Sequence, residues 1–286
     1  MKLRILSCCM AFLCLLSAKD SIAGTLESSC DLRMQIARRH RIIGEDMWYG
    51  FHRTKFDFNG RVGWVVEPSV SPLPGKPWTW TMQWAEAYVD RTGVLDLLRK
   101  GYHHVTLDLF ATRMNDEGVA AAAEFQKFLV DELQFASKAN LVGMSWGGFF
   151  STRYAAAHPE NVRKIYYDAP LLSFQNFGHS DPGRIGPWAA SAPADGQWEN
   201  DPRMPVNMAE RIAKAGIPVL ILYGGQDQTV PPARNCELFA ARYKAAGGTP
   251  EVNYRRMFGH HPHGLDPDKT SQIVKFFLAP DSGNRK

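Results

Sequence analysis

The chain has 286 residues, 45% of them hydrophobic and 22% charged, which is enough to bury one large core. Its 33 Lys and Arg against 29 Asp and Glu leave a formal net charge of +4. No basic block and no acidic tail stands out, which argues against a nucleic-acid partner.

In chain order, Lys2 and Arg4 precede an apolar run over 5–18, and Ser21-Ile22-Ala23 places small residues before Gly24. This is the layout of a secretory signal peptide, residues 1–23. The run is also short of the about 20 residues that span a membrane. Residues 24–286 then make one domain, secreted or periplasmic, with no membrane span; an uncleaved anchor is the alternative. Cys8, Cys9 and Cys14 leave with the signal, and Cys30 and Cys236 remain. An oxidising compartment permits a bridge between them, and two separate thiols fit the sequence equally.

Residues 51–58 and 61–66 read as strands joined by Asn59-Gly60, a pair that tolerates the positive φ of a hairpin turn. A Pro- and Ser-rich loop, 68–77, leads to a short strand at 78–81. Helices and strands then alternate. Residues 89–99 read as a helix closed by Gly101, and 104–110 as a strand. Asn115 caps a helix with Ala122, Phe125, Phe128 and Leu129 on one face. Residues 140–144 form a strand, 148–157 a helix and 164–168 the sixth strand. A strand at 217–223 precedes a helix opened by Pro231-Pro232 and ended by Gly247-Gly248. A strand at 252–257 precedes a last helix that starts at Asp266-Pro267 and buries Ile273, Phe276 and Phe277.

This alternation predicts an α/β fold with a mostly parallel central sheet and helices on both faces. Ligands meet such sheets at the carboxyl ends of the strands. Residues 171–205, after the sixth strand, lack a period but carry Phe174, Phe177, Trp188 and Trp198, and are expected to be a lid-like insertion.

Gly143-Met144-Ser145-Trp146-Gly147 has the G-x-S-x-G pattern at a strand-to-helix junction. The pattern holds a serine in a strained bend with small neighbours, so that Oγ projects above the sheet. A serine nucleophile needs a base, and the base an orienting acid. Asp227 follows the strand at 217–223, and Gly259-His260-His261-Pro262-His263 follows the last strand. Chain order and position make Asp227 the acid and His260 the base, with His261 and His263 as competitors for that role. The amide of Trp146 and a donor near Thr81 are expected to form an oxyanion hole. Trp80, Trp188, His261 and His263 are candidate substrate contacts. The histidines with Asp266 and Asp268 also resemble a metal-binding cluster. Pro262 kinks the run, so the imidazoles share no helix face, and no metal or other cofactor is expected. His103, His104 and Asp108 read as structural.

On Gly143–Gly147, Gly225-x-Asp227 with Val230-Pro231, and Gly259-His260, the chain resembles α/β-hydrolases over nearly all of residues 24–286. More narrowly, "KPWTW", "YYDAP" and "GHHPHGL" resemble a group of secreted bacterial α/β-hydrolases, some associated with polysaccharide breakdown. Thr81 stands where members of that group often carry Arg. The resemblance implies a serine hydrolase of carboxylic esters, acting through an acyl-enzyme on a small-molecule or oligosaccharide ester. The alternatives are a serine peptidase of short peptides and a catalytically silent hydrolase-like binding protein.

Overall fold

The computed structural model describes residues 31–175, 177 and 181–281. The expected signal segment 1–23 and Cys30 lie outside the described residues, so neither the cleavage site nor the Cys30–Cys236 pairing is addressed by it. Cys236 itself is buried and has no disulfide partner among the described residues, and burial pushes its thiol pKa up.

Nine strands form one sheet: β1 (Arg41–Trp48), β2 (Phe51–Phe58), β3 (Arg61–Val66), β4 (Trp78–Thr81), β5 (His103–Leu107), β6 (Ala139–Met144), β7 (Val162–Asp168), β8 (Val219–Gly224) and β9 (Glu251–Arg255). The spatial order is β1-β2-β3-β5-β4-β6-β7-β8-β9. Strands β1 to β3 run as an antiparallel meander that joins β5 antiparallel, and the rest of the sheet is parallel. The sheet is therefore mixed. Asn59 and Gly60 both take positive φ in the β2–β3 turn, as their identities require.

Strand β1 is absent from the sequence reading. It is an edge strand whose residues alternate between exposed and half-buried, and its charged residues mask the period. Its presence makes β7 the seventh strand, so the insertion at 171–205 follows the seventh strand and not the sixth. That insertion also has structure of its own. It holds a one-turn helix at Pro182–Ile185 and 3₁₀ turns at Gly186–Ser191 and Trp198–Asn200. These turns are too short to produce a helical period.

Apart from the one-turn helix in the insertion, the helices among the described residues are α1 (Val94–Arg99), α2 (Asp116–Asp131), α3 (Trp146–Ala157), α4 (Ala209–Lys214), α5 (Cys236–Ala245) and α6 (Ser271–Leu278). The Asn115 side chain caps α2 by accepting from the Gly118 amide (3.0 Å). The expected helix at 89–99 is broken, because Gly93 takes a left-handed φ of 74° and splits a 3₁₀ turn from α1. A Cβ on Gly93 would stand 3.2 Å from Val274 Cγ2, so this glycine also lets α6 approach. The last helix begins at Ser271, later than Asp266-Pro267.

Period-2 alternation in the central strands feeds two cores. Leu141, Ile165, Tyr167, Val219 and Ile221 pack on one face with Trp78, Trp80 and Phe149. Val142, Tyr166, Leu220 and Leu222 pack on the other with Ile273 and Phe277. Burial of this kind extends to polar groups. His103 and His104 are enclosed in β5, where burial holds both pKa values at about 3. His104 Nδ1 pairs with Thr79 Oγ1 at 2.9 Å.

The sign of the pH effect follows. Both imidazoles stay neutral in the fold but take a proton in the unfolded chain below its ordinary value of 6.5, so acid favours unfolding. Stability should fall from pH 6.5 toward about 3, by roughly 1.4 kcal/mol per pH unit for each histidine. Denaturant titrations at pH 7, 5.5 and 4.5 check this, and His104→Gln should flatten the slope by one such share.

Candidate active site

The carboxyl end of β6 delivers Ser145. Its backbone has φ 50° and ψ −117°, a conformation costly for any residue with a Cβ. Hydrogen bonds on both sides hold it there. The Ser145 amide donates to the Asp168 carbonyl (2.9 Å), and the Ser145 carbonyl accepts from the amides of Gly148 and Leu171 (2.9 Å each). Close packing around the bend demands small residues. A Cβ on Gly143 would meet Ser151 Oγ at 2.9 Å and Gly147 O at 3.1 Å, and one on Gly148 would meet Pro170 Cβ at 2.3 Å. Gly147 is different: a Cβ there finds ordinary space, 3.5 Å from the Gln83 amide nitrogen.

Two other glycines bring the acid and the base together. A Cβ on Gly224 would stand 2.2 Å from the Phe258 carbonyl, and one on Gly225 would stand 2.3 Å from the Tyr254 hydroxyl. The missing Cβ of Gly225 makes room for the Tyr254 ring of β9, and that of Gly224 lets the turn after β9 lie directly on the end of β8. There His260 Nδ1 lies 2.7 Å from Asp227 Oδ2, and His260 Nε2 lies 3.1 Å from Ser145 Oγ. Asp227 Oδ1 accepts from the amides of Thr229 and Val230 (2.9 and 2.8 Å). The carboxylate thus shapes its own turn with one oxygen and orients the imidazole with the other. Of the three histidines, His260 is the one that faces both Ser145 and Asp227.

A second carboxylate underlies this trio, and sequence reasoning missed it. Asp168 ends β7 with no exposed surface. Its Oδ1 lies 2.8 Å from His263 Nδ1, and its Oδ2 accepts from the Gly264 amide (2.6 Å) and the Tyr166 hydroxyl (2.5 Å). Burial would raise its pKa, but His263 and Tyr166, with the charge of Arg255, hold it below the ordinary carboxylate value. The carbonyl of the same residue binds the Ser145 amide, so Asp168 fixes the nucleophile's bend and the histidine turn at once. Arg91 and Arg255 clamp that turn from outside: Arg91 Nε donates to the His263 carbonyl (2.8 Å) and Arg255 Nη1 to the Gly264 carbonyl (2.7 Å).

Several expected contacts lie elsewhere. Trp80 sits in β4, between β5 and β6, fully enclosed by Trp78, Phe125 and Tyr154, so it presents no face to a substrate. Trp188 is also buried, with its indole N–H donating to the Arg113 carbonyl (2.9 Å) and its ring against Phe149 and Phe174. His263 is committed to Asp168 in the interior. His261 is exposed and stacks on Tyr88 (centroids 5.9 Å apart, planes 16° apart). Thr81 remains inside β4, buried, with its carbonyl accepting from the Thr106 hydroxyl (2.7 Å). The Met82 amide is used on the Val142 carbonyl (3.2 Å). The next amide, Gln83, has no acceptor among the described residues and lies beside Gly147. Gln83 and Trp146, the latter at the first position of α3, are thus the backbone amides near this bend, whereas Thr81 is bound into β4. No side-chain pattern signals a backbone donor.

The imidazoles share no helix face, yet the turn gathers all three. Asp266, expected beside them, pairs instead with Arg91 and Lys269 (3.0 Å each).

A family model described as alpha/beta hydrolase fold matches residues 84–183. Solved structures share the architecture. An acylaminoacyl peptidase of Pyrococcus horikoshii is 12% identical, with a TM-score of 0.55, over 86% of this chain and 50% of its own. Dipeptidyl peptidase 4 of Porphyromonas gingivalis is 15% identical, with a TM-score of 0.58, over 83% of this chain and 36% of its own. A puromycin-hydrolyzing peptidase of Mycobacterium tuberculosis is 18% identical, with a TM-score of 0.57, over 83% of this chain and 37% of its own. The chain thus spans half or less of these proteins. No curated protein sequence matches it.

The Asp168 network predicts a coupled loss. Asp168→Asn places an amide N–H where a donor already points, and should cost about 3–5 kcal/mol of stability. Denaturant unfolding reads that loss. Any residual folded enzyme should show a reduced kcat, because the His260 turn loses its internal anchor.

Proposed function

For a chain with the alpha/beta hydrolase fold, and in that superfamily, we propose the role of a serine hydrolase that cleaves carboxylic esters through an acyl-enzyme. The observation that carries this reading is the chain of contacts from Ser145 Oγ through His260 to Asp227, at the carboxyl ends of three parallel strands.

In this mechanism Ser145 Oγ attacks the ester carbonyl carbon while its proton passes to His260 Nε2. Asp227 Oδ2 holds Nδ1–H and stabilises the imidazolium. The carbonyl oxygen becomes an oxyanion, bound by the amides of Trp146 and Gln83. The imidazolium protonates the departing alkoxy oxygen as the C–O bond breaks, leaving an acylated Ser145. Water then gives its proton to His260, attacks the acyl carbon and releases the acid with Ser145 restored. No cofactor enters these steps. The substrate class extends to small-molecule or oligosaccharide esters, and the N-terminal pattern at 1–23 supports secretion or a periplasmic location.

A second reading is an amidase of short peptides. It is favoured by the peptidases among the structural matches and uses the same acyl-enzyme chemistry.

Incubation with a fluorophosphonate should add one label per chain, and Ser145→Ala should take none, as intact mass reports. An unlabelled wild type would favour the silent binding protein instead. Ser145→Ala should also lower kcat by about 10⁴-fold or more. A panel of p-nitrophenyl esters and acetylated, methylated and feruloylated sugars against peptide anilides should show turnover on esters. Turnover confined to the anilides would establish the peptidase reading.

A further inference from the structure

The turn after β9 carries more imidazole than proton transfer requires. The rings of His260, His261 and His263 lie with centroids 4.9, 4.7 and 4.9 Å apart. One nitrogen of each lies within 4.8 Å of the others. Two of the rings are oriented by buried carboxylates: Asp227 holds Nδ1 of His260, and Asp168 holds Nδ1 of His263. Proteins set metal-binding histidines in this way. An acid engages one ring nitrogen, fixes the tautomer and leaves the other, unprotonated nitrogen for the cation. The third ring, His261, is exposed and gives access from solvent; its polar contact is the Tyr88 hydroxyl, 3.3 Å from Nδ1.

We propose that His260, His261 and His263 form a three-imidazole site for a divalent transition-metal cation, Zn²⁺ above all, and that filling it withholds His260 from Ser145. Imidazole nitrogen is a preferred donor for Zn²⁺, and three protein ligands plus one water complete a tetrahedron. Zn–N bonds of about 2.0–2.1 Å put the three nitrogens about 3.4 Å apart, so closing the site takes shifts on the order of 1 Å. The exposed His261 ring is the one free to make the larger adjustment. Coordination replaces waters of the aqueous ion and moves no electrons. Its cost to activity is that His260 Nε2 cannot both bind the ion and accept the Ser145 proton. The binding site stands on the imidazole geometry alone; the inhibition rests on the serine-hydrolase reading.

The test uses the full chain with any affinity tag removed, in a buffer that does not chelate. Titration calorimetry with ZnCl₂ should find one ion per chain at micromolar Kd, in wild type and equally in Ser145→Ala. His261→Ala, at an exposed position, should keep the melting temperature of the metal-free protein and weaken zinc binding by at least about tenfold. Hydrolysis by wild type should fall with zinc occupancy and return with EDTA. No binding to Ser145→Ala, or binding unchanged in His261→Ala, overturns the site. Zinc binding by a protein that hydrolyses nothing overturns the serine-hydrolase reading and leaves the site standing. Active enzyme that neither binds nor responds to zinc does the reverse.

Discussion

The arrangement at the top of the sheet depends on the buried carboxylate of Asp168. Its two side-chain oxygens and its carbonyl reach His263, Gly264, Tyr166 and the Ser145 amide. A charge this deep is costly unless donors meet it, and here they come from the turn after β9 and from Tyr166 on β7 itself. The side chain of Asp168 therefore ties β7 to the turn after β9, and the backbone carbonyl of the same residue ties β7 to the bend at Ser145. A hydrogen bond between Ser145 and His260 follows from these ties, because both are mounted on elements Asp168 already joins.

Close backbone contact is the other half of the design. Gly143 and Gly148 let strand, bend and helix crowd together at Ser145, Gly224 lets the histidine turn lie on the end of β8, and Gly225 makes room for the Tyr254 ring. None of these four has a positive φ, so their value is the missing Cβ and not backbone freedom.

Much of this was legible in the residues. Short apolar runs alternating with helical spacing identify β6, β7 and β8. A serine between small residues, an acid after β8 and a histidine after β9 fall at strand ends, and the three meet. What was not legible has physical causes. Strand β1 is an edge, half-wetted and charged, so its alternation is blurred. Trp80 looked available because large aromatics stack on ligands, but a strand between two neighbours, with helices on both faces, has no free side. Asp168 closes an apolar run and resembles an ordinary turn acid; nothing local reveals partners 95 residues away. Gln83 contributes an amide, which every residue but proline has. The insertion 171–205 hid its short turns, although its buried Leu171, Leu172 and Phe174 pack into the main core.

The strand order sets when the site comes into being. Strands β1 to β3 pair with their chain neighbours and can form as they emerge, while β9 lies at the far edge and is the last strand in chain order among the described residues. Ser145 and His260 are 115 residues apart. At a synthesis rate of about 5–20 residues per second, the serine leaves the ribosome at least about 6 seconds before its base. A nascent chain thus carries the Ser145 hydroxyl before the imidazole that meets it in the fold, and the pairing of the two waits for the turn after β9.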